Sequence, residues 1–176
     1  LARTLLRKEK AKPEVLIAQN KIKEVLQCLF GKDGLNYANA PKGLIPFHRY
    51  GHGHSAVRTA FEEHLVEAVA YARDRRGRAR IHFTVSREHR AGIQGYLRQV
   101  TPQYASGGTR FDIGFSVQSG STDTIAVDHN NQPFRDQAGN IIFRPGGHGA
   151  LLHNLNSLRA DLVFIKNIDN VVPDSL

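Results

Sequence analysis

The segment Asp161–Asp169, DLVFIKNID, is the feature of the sequence that most constrains the fold. It is a nearly continuous apolar run of strand length, without the alternation of apolar and polar residues that marks a half-buried strand. Such a run is typical of a strand that is covered on both faces, as in a parallel sheet between layers of helices. We therefore expect a strand over residues 162–168 in the sheet of a layered α/β domain.

Helical and strand patterns alternate along the rest of the chain. Their apolar spacing predicts helices at 20–34, 59–73, 87–100 and 151–158, strands at 81–85 and 111–117, and a hairpin excursion at 124–143 with turns at 130–131 and 138–140. Thr59 and Glu62 have capping-box spacing, and Ser86 is expected to cap the helix that follows it. Gly31 or Gly34 is expected to end the first helix in the left-handed conformation. This alternation predicts an α/β fold of three αβα layers with a mostly parallel sheet.

Length and composition favour one globular domain. The chain has 176 residues, of which 40% are hydrophobic, and this is enough for a core of ordinary size. It has a single cysteine, Cys28, no signal-peptide pattern and no apolar run of the roughly 18 residues that a membrane span needs. We therefore expect a cytoplasmic protein. Because the chain starts at Leu1 and contains no Met, we also expect a fragment, with residues 1–20 as a flexible or helical lead-in.

The net charge of +8 raises the question of an anionic partner. Much of the excess lies in two runs, residues 7–14 and Arg73–Arg80, which both have the composition of exposed connections. Neither run contains the aromatic residues that stack on bases in single-strand binding proteins. The pattern favours solvated surface over a nucleic-acid site, and binding through Arg73–Arg80 stays open as a third function.

Polar residues follow the predicted strands at what would be one edge of the sheet. Ser86, Gln118 and Asp169 each come directly after a predicted strand. Ligands of open α/β sheets bind beyond the carboxyl ends of the strands. These three side chains are therefore candidates for ligand contact.

The glycine-rich segment Gly146-Gly147-His148-Gly149 comes just before the last predicted helix. Free backbone N–H groups at a helix start attract anions, and glycine lets a ligand approach the backbone closely. A tight turn is the alternative explanation. With Asp169 about twenty residues later, the segment predicts a crevice that holds a phosphate on one wall and a carboxylate on the other. An anionic ligand beside a carboxylate commonly requires a divalent cation such as Mg²⁺.

Two lysines could reach such a phosphate. Lys166 lies inside the apolar run, where an ammonium is costly unless it meets an anion. It could equally lie at the strand end and reach solvent. Lys42 lies in the loop between Pro41 and Gly43, a position that carries little weight by itself.

Histidines suggest a second kind of site, which the spacing does not favour. His48, His52 and His54 lie close together, with His64 further on. Zinc sites need ligands that converge in tetrahedral geometry, usually with cysteine or a helical His-Glu pattern. The histidine group has neither a cysteine partner nor that pattern, and the chain also lacks the elbow motif of a serine or cysteine nucleophile.

Longer motifs resemble a known family. The segments LNYANAPKGLIPFH, EEHLVEA, STDTIAVD, FRPGGHGALLHNLN and FIKNIDNVVPD together resemble the bacterial family called domain of unknown function 4301, from about Gly31 to the end. Shorter stretches, APKGLIPF, FSVQ, FRPGGHGALLHNL and DLVFIKNIDN, are similar to motifs of the UDP-sugar pyrophosphorylases. The resemblance implies a GT-A-like nucleotide-diphospho-sugar transferase fold. It also implies a fragment that lacks the glycine-rich loop expected upstream of Lys42.

The reaction that the resemblance implies joins a sugar 1-phosphate to a nucleoside triphosphate and releases pyrophosphate, with Mg²⁺ or a similar divalent cation as cofactor. Catalytic roles would fall to Lys42, Lys166 and Asp169, and Asp169 would bind the metal. The substrate-binding residues would be Ser86, Gln118, Gly146, Gly147, His148, Gly149 and Asn167. Such a reaction needs no protein nucleophile, because positioning and charge neutralisation supply the rate. A domain of the same fold that binds a nucleotide or sugar nucleotide without turnover is the alternative.

Overall fold

Short helices and strands alternate in the structure, a computed structural model that describes residues 12–46, 48–49 and 57–171. The helices are α1 Pro13–Ala18, α2 Ile22–Phe30, α3 Ala60–Tyr71, α4 Arg90–Tyr104 and α5 Leu152–Asn156. The strands are β1 His48–Arg49, β2 Val57–Arg58, β3 Arg78–Val85, β4 Arg110–Val117, β5 Thr124–Ile125 and β6 Phe143–Arg144. Short 3-10 turns lie at Lys42–Leu44, Gly120–Thr122 and His148–Leu151. The protein is thus a mixed α/β structure with a small parallel sheet.

The chain divides into two units. Unit 1 comprises Leu1–His64 and Asn167–Leu176, and unit 2 comprises Leu65–Lys166. Of the predicted lead-in over residues 1–20, Pro13–Ala18 is helical, and residues 1–11 lie outside the described part of the chain.

Helices α1 and α2 of unit 1 share a small apolar cluster. Leu16, Val25 and Cys28 are buried, and Leu29 packs against them. The apolar face of α2 recurs at helical spacing, so burying that face is what orders this helix. The cysteine is a buried free thiol, as the apolar pattern around it indicates.

The glycines after α2 do not have the left-handed conformation that the sequence predicts. Gly31 has a φ of −69°, and Gly34 is not among the residues with positive φ. A Cβ on Gly31 would lie 2.4 Å from the carbonyl oxygen of Gln27, and one on Gly34 would lie 2.0 Å from that of Cys28. Glycine is required here because the backbone approaches itself too closely for any side chain.

Helix α3 begins with the predicted capping box. The backbone N–H of Thr59 donates to Glu62 Oε2 at 2.7 Å, and the N–H of Glu62 donates to Thr59 Oγ1 at 3.3 Å. These bonds satisfy donors that a helix start leaves without an intrahelical partner. The predicted core residues Phe61 and Leu65 are 3% and 0% exposed. The capping box therefore fixes both where α3 begins and which face it buries.

The parallel sheet of unit 2 is the pair β3–β4. It pairs Arg78 with Arg110 and Val85 with Val117 in continuous register. Both strands and their parallel direction agree with the sequence prediction. The helix after β3 begins at Arg90 with His89 at the cap position, so the expectation that Ser86 caps it is wrong. The Ser86 hydroxyl instead contacts His89 Nδ1 at 2.7 Å.

An Asp-initiated turn recurs in unit 2 and joins neighbouring extended segments. It spans Asp74–Arg78, Asp128–Gln132 and Asp136–Asn140. In each copy the Asp Oδ1 accepts backbone N–H groups two and four residues later, and the fourth residue has positive φ: Gly77, Asn131 and Gly139. The backbone donors from Arg78 and Asn140 hold the pKa values of Asp74 and Asp136 below the usual range. The two later turns lie within the predicted excursion, which β5 and β6 close as an antiparallel pair.

The predicted strand at 162–168 is absent from the structure. Residues 162–167 are not assigned to a strand, and Leu162, Phe164 and Ile165 are 73%, 57% and 72% exposed. The sheets of the described chain are three two-stranded pairs, of which only β3–β4 is parallel, and none includes this run. An apolar run becomes a buried strand only where neighbouring strands and helices cover it. The parallel part of the described sheets is therefore the small pair β3–β4.

A pair of leucine substitutions tests this burial pattern. Replacing Leu65 by Ala removes a fully buried side chain, and we expect a loss of about 2–5 kcal/mol in the free energy of unfolding. Replacing the exposed Leu162 by Ala is expected to change it by less than about 0.5 kcal/mol. Urea unfolding followed by circular dichroism measures both values. An equal loss for the two variants would mean that residues 162–165 are buried.

Candidate functional site

Two residues of unit 1 that lie far apart in sequence meet in an ion pair. Lys42 begins the 3-10 turn after Pro41, and Asp169 lies in the turn Asn167–Asn170, which the Asn170 N–H closes onto the Asn167 carbonyl at 3.1 Å. Lys42 Nζ donates to Asp169 Oδ2 at 2.5 Å. The resemblance of the sequence motifs predicts phosphate contact for Lys42 and metal contact for Asp169. The structure brings them together.

A buried glycine makes this meeting possible. A Cβ on Gly43 would lie 2.7 Å from Phe61 Cε2 and 2.8 Å from Ile168 Cγ1. Both contacts are far below van der Waals distance, so any larger residue would push the loop away from α3 and from the turn. Gly43 therefore sets Lys42 beside Asp169.

The pair is accessible and weakly held. Hydrogen bonding by the Lys42 ammonium, a backbone donor and the ammonium charge hold the pKa of Asp169 below its usual range. The two side chains are 59% and 45% exposed. Exposed ion pairs contribute little to stability, because water solvates both charges. A ligand with an anionic and a cationic part could therefore separate Lys42 from Asp169 at small cost.

The glycine segment lies in unit 2, beside the carboxyl end of β4. A Cβ on Gly146 would lie 2.5 Å from the Thr122 carbonyl oxygen and 3.6 Å from Gln118 Nε2. Gln118 in turn donates to Thr122 Oγ1 at 3.2 Å. Asn154 Nδ2 of α5 donates to the carbonyl of Val117 at 3.1 Å. Gly146 and Gln118 are therefore neighbours just after β4.

The other glycines of the segment have no such packing reason. No described atom lies within 4 Å of a Cβ added to Gly147 or Gly149. Gly147 has a φ of −72°, which any residue adopts. His148 is exposed at the start of the 3-10 turn. The helix that follows, α5, has only five residues, shorter than the predicted helix at 151–158. The described chain therefore gives no packing reason for glycine at positions 147 and 149.

Lys166 has an anionic partner within unit 2. Its ammonium donates to the Glu67 carboxylate of α3, and the side chains are 23% and 12% exposed. The same carboxylate accepts from the Tyr71 hydroxyl at 3.1 Å. Partial burial and the Glu67 charge raise the pKa of Tyr71 to about 12. Glu67 is therefore the anion that compensates the charge of Lys166 within the apolar run.

The remaining candidates are dispersed. Ser86 contacts His89, and Asn167 is an exposed residue at the start of its turn. In the Arg73–Arg80 run, Arg73 donates to the Gly107 carbonyl at 2.7 Å and Arg80 lies 3.9 Å from the Asp112 carboxylate. Nucleic-acid binding there stays a prediction.

The part of the chain that the structure describes contains no group of three metal-ligating side chains. His52 and His54 lie outside it. Among the described residues, Asp169 thus stands as a single carboxylate. It fits a Mg²⁺ ion that keeps its waters and binds one or two carboxylates together with substrate phosphates.

Family comparison places these residues in a known group of proteins. The whole chain, residues 1–176, matches the family described as Domain of unknown function (DUF4301). The chain belongs to the DUF4301 family. The resemblance to this family is thereby confirmed, and the similarity to UDP-sugar pyrophosphorylases stays a prediction. No curated protein and no solved structure matches this DUF4301 chain. In its described residues no helix has the length and apolar character needed to cross a membrane.

Two residues of α3 make contacts that the sequence does not predict, His64 in unit 1 and Glu67 in unit 2. The sequence places His64 only in a histidine group that does not favour zinc, and it predicts no role for Glu67. His64 lies three residues after Phe61 and four before Ala68, on the buried face of the helix, and a histidine there needs a polar partner. Glu67 and Tyr71 have the i,i+4 spacing at which helical side chains meet. The first pattern could have predicted a polar partner for His64, and the second predicts the contact of Glu67 with Tyr71 but not its pairing with Lys166.

Replacing Lys42 by Gln tests the electrostatics of the pair. The folded-state pKa of Asp169 is lowered, so the contribution of the pair is present above the unfolded pKa and is lost as the pH falls through the folded pKa. Without the ammonium, we expect the Asp169 carboxyl to titrate at a higher pH. Carboxyl ¹³C NMR measures this, with Asp136 as an internal reference and Lys32→Gln as the control. An unchanged pKa of Asp169 would show that Lys42 does not hold it.

Proposed function

We propose that this DUF4301 domain is a metal-dependent nucleotidyltransferase that joins a sugar 1-phosphate to a nucleoside triphosphate and releases pyrophosphate. The ion pair between Lys42 and Asp169 is the observation that carries the proposal. Two motifs that are assigned to phosphate and to metal lie 127 residues apart in sequence, and their side chains meet. The parallel pair β3–β4 with its flanking helices supports a GT-A-like three-layer fold as part of the same proposal.

The reaction asks for charge neutralisation rather than covalent catalysis. A phosphate oxygen of the sugar 1-phosphate bonds to the α-phosphorus, and the bond from the α-phosphorus to the bridging oxygen breaks, so that pyrophosphate leaves. Negative charge develops on the phosphoryl oxygens and on the leaving group. The Lys42 ammonium is a compact cation that binds such oxygens. In the structure Asp169 neutralises this ammonium. The phosphate oxygens of a triphosphate would replace the Asp169 carboxylate beside Lys42.

Asp169 supplies the protein ligand for the cation. Its carboxylate is exposed, and the pair that it forms with Lys42 is of the weak, solvent-screened kind. Mg²⁺ at this carboxylate would neutralise charge on the phosphates. An exchange of partners, Lys42 to phosphate and Asp169 to the cation, leaves neither charge without a counter-ion.

The glycine segment of unit 2 supports contact with the nucleotide. The backbone at Gly147 and Gly149 is open, and neither glycine is required by positive φ or by contacts within the described chain. A side chain there would cover N–H groups that a base or phosphate could use. His148, which is exposed between them, adds a directed hydrogen bond, and the Gln118 amide lies near Gly146.

A domain that binds a nucleotide or a sugar nucleotide without turnover is the second candidate. The pairing of Lys166 with Glu67 favours it, because this predicted catalytic lysine is held in a partly buried ion pair, whereas the pair of Lys42 is exposed. The two candidates share their binding residues and differ only in whether pyrophosphate is formed.

Nucleotide binding is the first test. We expect Mg²⁺ with one of the four nucleoside triphosphates to raise the melting temperature of the chain, because a ligand that binds only the folded state stabilises it. Asp169→Asn and Lys42→Gln should each weaken binding about tenfold or more, which corresponds to about 1.4 kcal/mol. Asp161→Asn and Lys32→Gln make the same charge changes at exposed positions and should bind as the parent chain does. Binding of no triphosphate, or equal binding by all variants, would contradict the proposal.

Pyrophosphate release separates the two candidates. With sugar 1-phosphates present, a transferase forms pyrophosphate from the triphosphate that it binds, and Asp169→Asn should abolish most of this turnover while the fold stays intact. A chain that binds a nucleotide or a sugar nucleotide tightly and forms no pyrophosphate with any sugar 1-phosphate would be a binding domain.

A further inference from the structure

His64 connects α3 to the turn that carries Asp169. Its side chain is buried, with 9% exposure, and its Nε2 lies 3.1 Å from the carbonyl oxygen of Ile168. A carbonyl oxygen only accepts, so Nε2 carries the proton and donates. The imidazole is therefore held with a defined ring orientation and protonation at Nε2.

The turn Asn167–Asn170 is held at several points. Its own hydrogen bond runs from the Asn170 N–H to the Asn167 carbonyl, so it does not use the carbonyl of Ile168. His64 takes that carbonyl, while the Ile168 side chain packs where the missing side chain of Gly43 leaves room. Ile168 is thus fixed through its backbone and through its side chain.

The position of His64 is set by the start of its helix. The capping box of Thr59 and Glu62 fixes the first turn of α3. His64 comes five residues after Thr59 on this helix, on the same side as Phe61. The Phe61 ring lies where a side chain on Gly43 would be. The hydrogen-bond partner of the turn therefore lies on a helix.

We propose that His64 is the positioning residue of the Asp169 turn. It fixes the peptide between Ile168 and Asp169 and thereby directs the Asp169 carboxylate toward Lys42, or toward a cation when a triphosphate is bound. The consequence for ligand binding rests on the proposed function, whereas the structural part does not. An apolar side chain at this position would leave the Ile168 carbonyl without its donor, and the turn could rotate.

The test uses His64→Ala, His64→Gln and a control. Gln can place its amide nitrogen near the position of Nε2, so it keeps a donor for the Ile168 carbonyl. His82→Ala is the control, because it removes another partly buried histidine, whose Nε2 contacts Ser116 Oγ at 2.9 Å in unit 2. All variants are compared as full chains.

NMR order parameters of the backbone amides give the direct result. In His64→Ala we expect the values for Ile168 and Asp169 to fall from about 0.85 to below about 0.6, the range of a flexible backbone. Those of β4 should not change, and His64→Gln should restore the turn. If His64 contributed only to general stability, its loss would not lower the order parameters of Ile168 and Asp169 selectively. Unchanged order parameters at the turn in His64→Ala would overturn the proposal.

Two further measurements keep the proposal testable. The imidazole ¹⁵N spectrum of the parent chain should show a protonated Nε2, and a bare Nε2 would overturn the proposal even if His64→Ala does not fold. Affinity for Mg²⁺ with a nucleoside triphosphate should fall about tenfold in His64→Ala, if the binding-competent turn is then populated to about a tenth, and recover in His64→Gln. If the parent chain binds no triphosphate, the proposed function fails, while the order parameters and the ¹⁵N spectrum still decide the role of His64.

Discussion

The packing of Ile168 against Gly43, together with the hydrogen bond of His64 to the Ile168 carbonyl, is the constraint on which the candidate site depends. The absent side chain at Gly43 admits Ile168 Cγ1 and Phe61 Cε2, and the imidazole binds the carbonyl of the same isoleucine. None of these groups is assigned a contact with substrate. Their packing nevertheless determines that an ammonium and a carboxylate from distant parts of the chain meet. An exposed ion pair could not organise this region by itself, since such pairs contribute little free energy.

Local features of the fold were predictable from the sequence. The capping box at Thr59 and Glu62 is a contact between residues three apart, and the alternation of Phe111, Ile113 and Phe115 describes β4 without any knowledge of its neighbours. The family was predictable as well, because long motifs can be recognised directly from the order of their residues. In each case the information lies within one short window of the chain.

Contacts between distant residues were not predictable in the same way. Asp169 and Lys42 were both named from motifs, but no periodicity says that they pair with each other. The sequence does not predict that Glu67 pairs with Lys166, because the two residues lie 99 positions apart. The strand at 162–168 was predicted wrongly. Its apolar composition shows that the run could be buried, but it does not show whether neighbouring strands and helices cover it. Leu162 and Ile165 are more than two-thirds exposed in the structure.

In the proposed reaction Lys42 exchanges Asp169 for a triphosphate, and Asp169 exchanges Lys42 for a cation. The most direct measurement is an NMR titration that follows the Lys42 ammonium and the Asp169 carboxyl while Mg²⁺ and a nucleoside triphosphate are added, separately and together. We expect both signals to shift with one common saturation curve when the two are added together, because each group then changes its partner. Saturable binding of the triphosphate that leaves both signals where they are in the free chain would contradict the account.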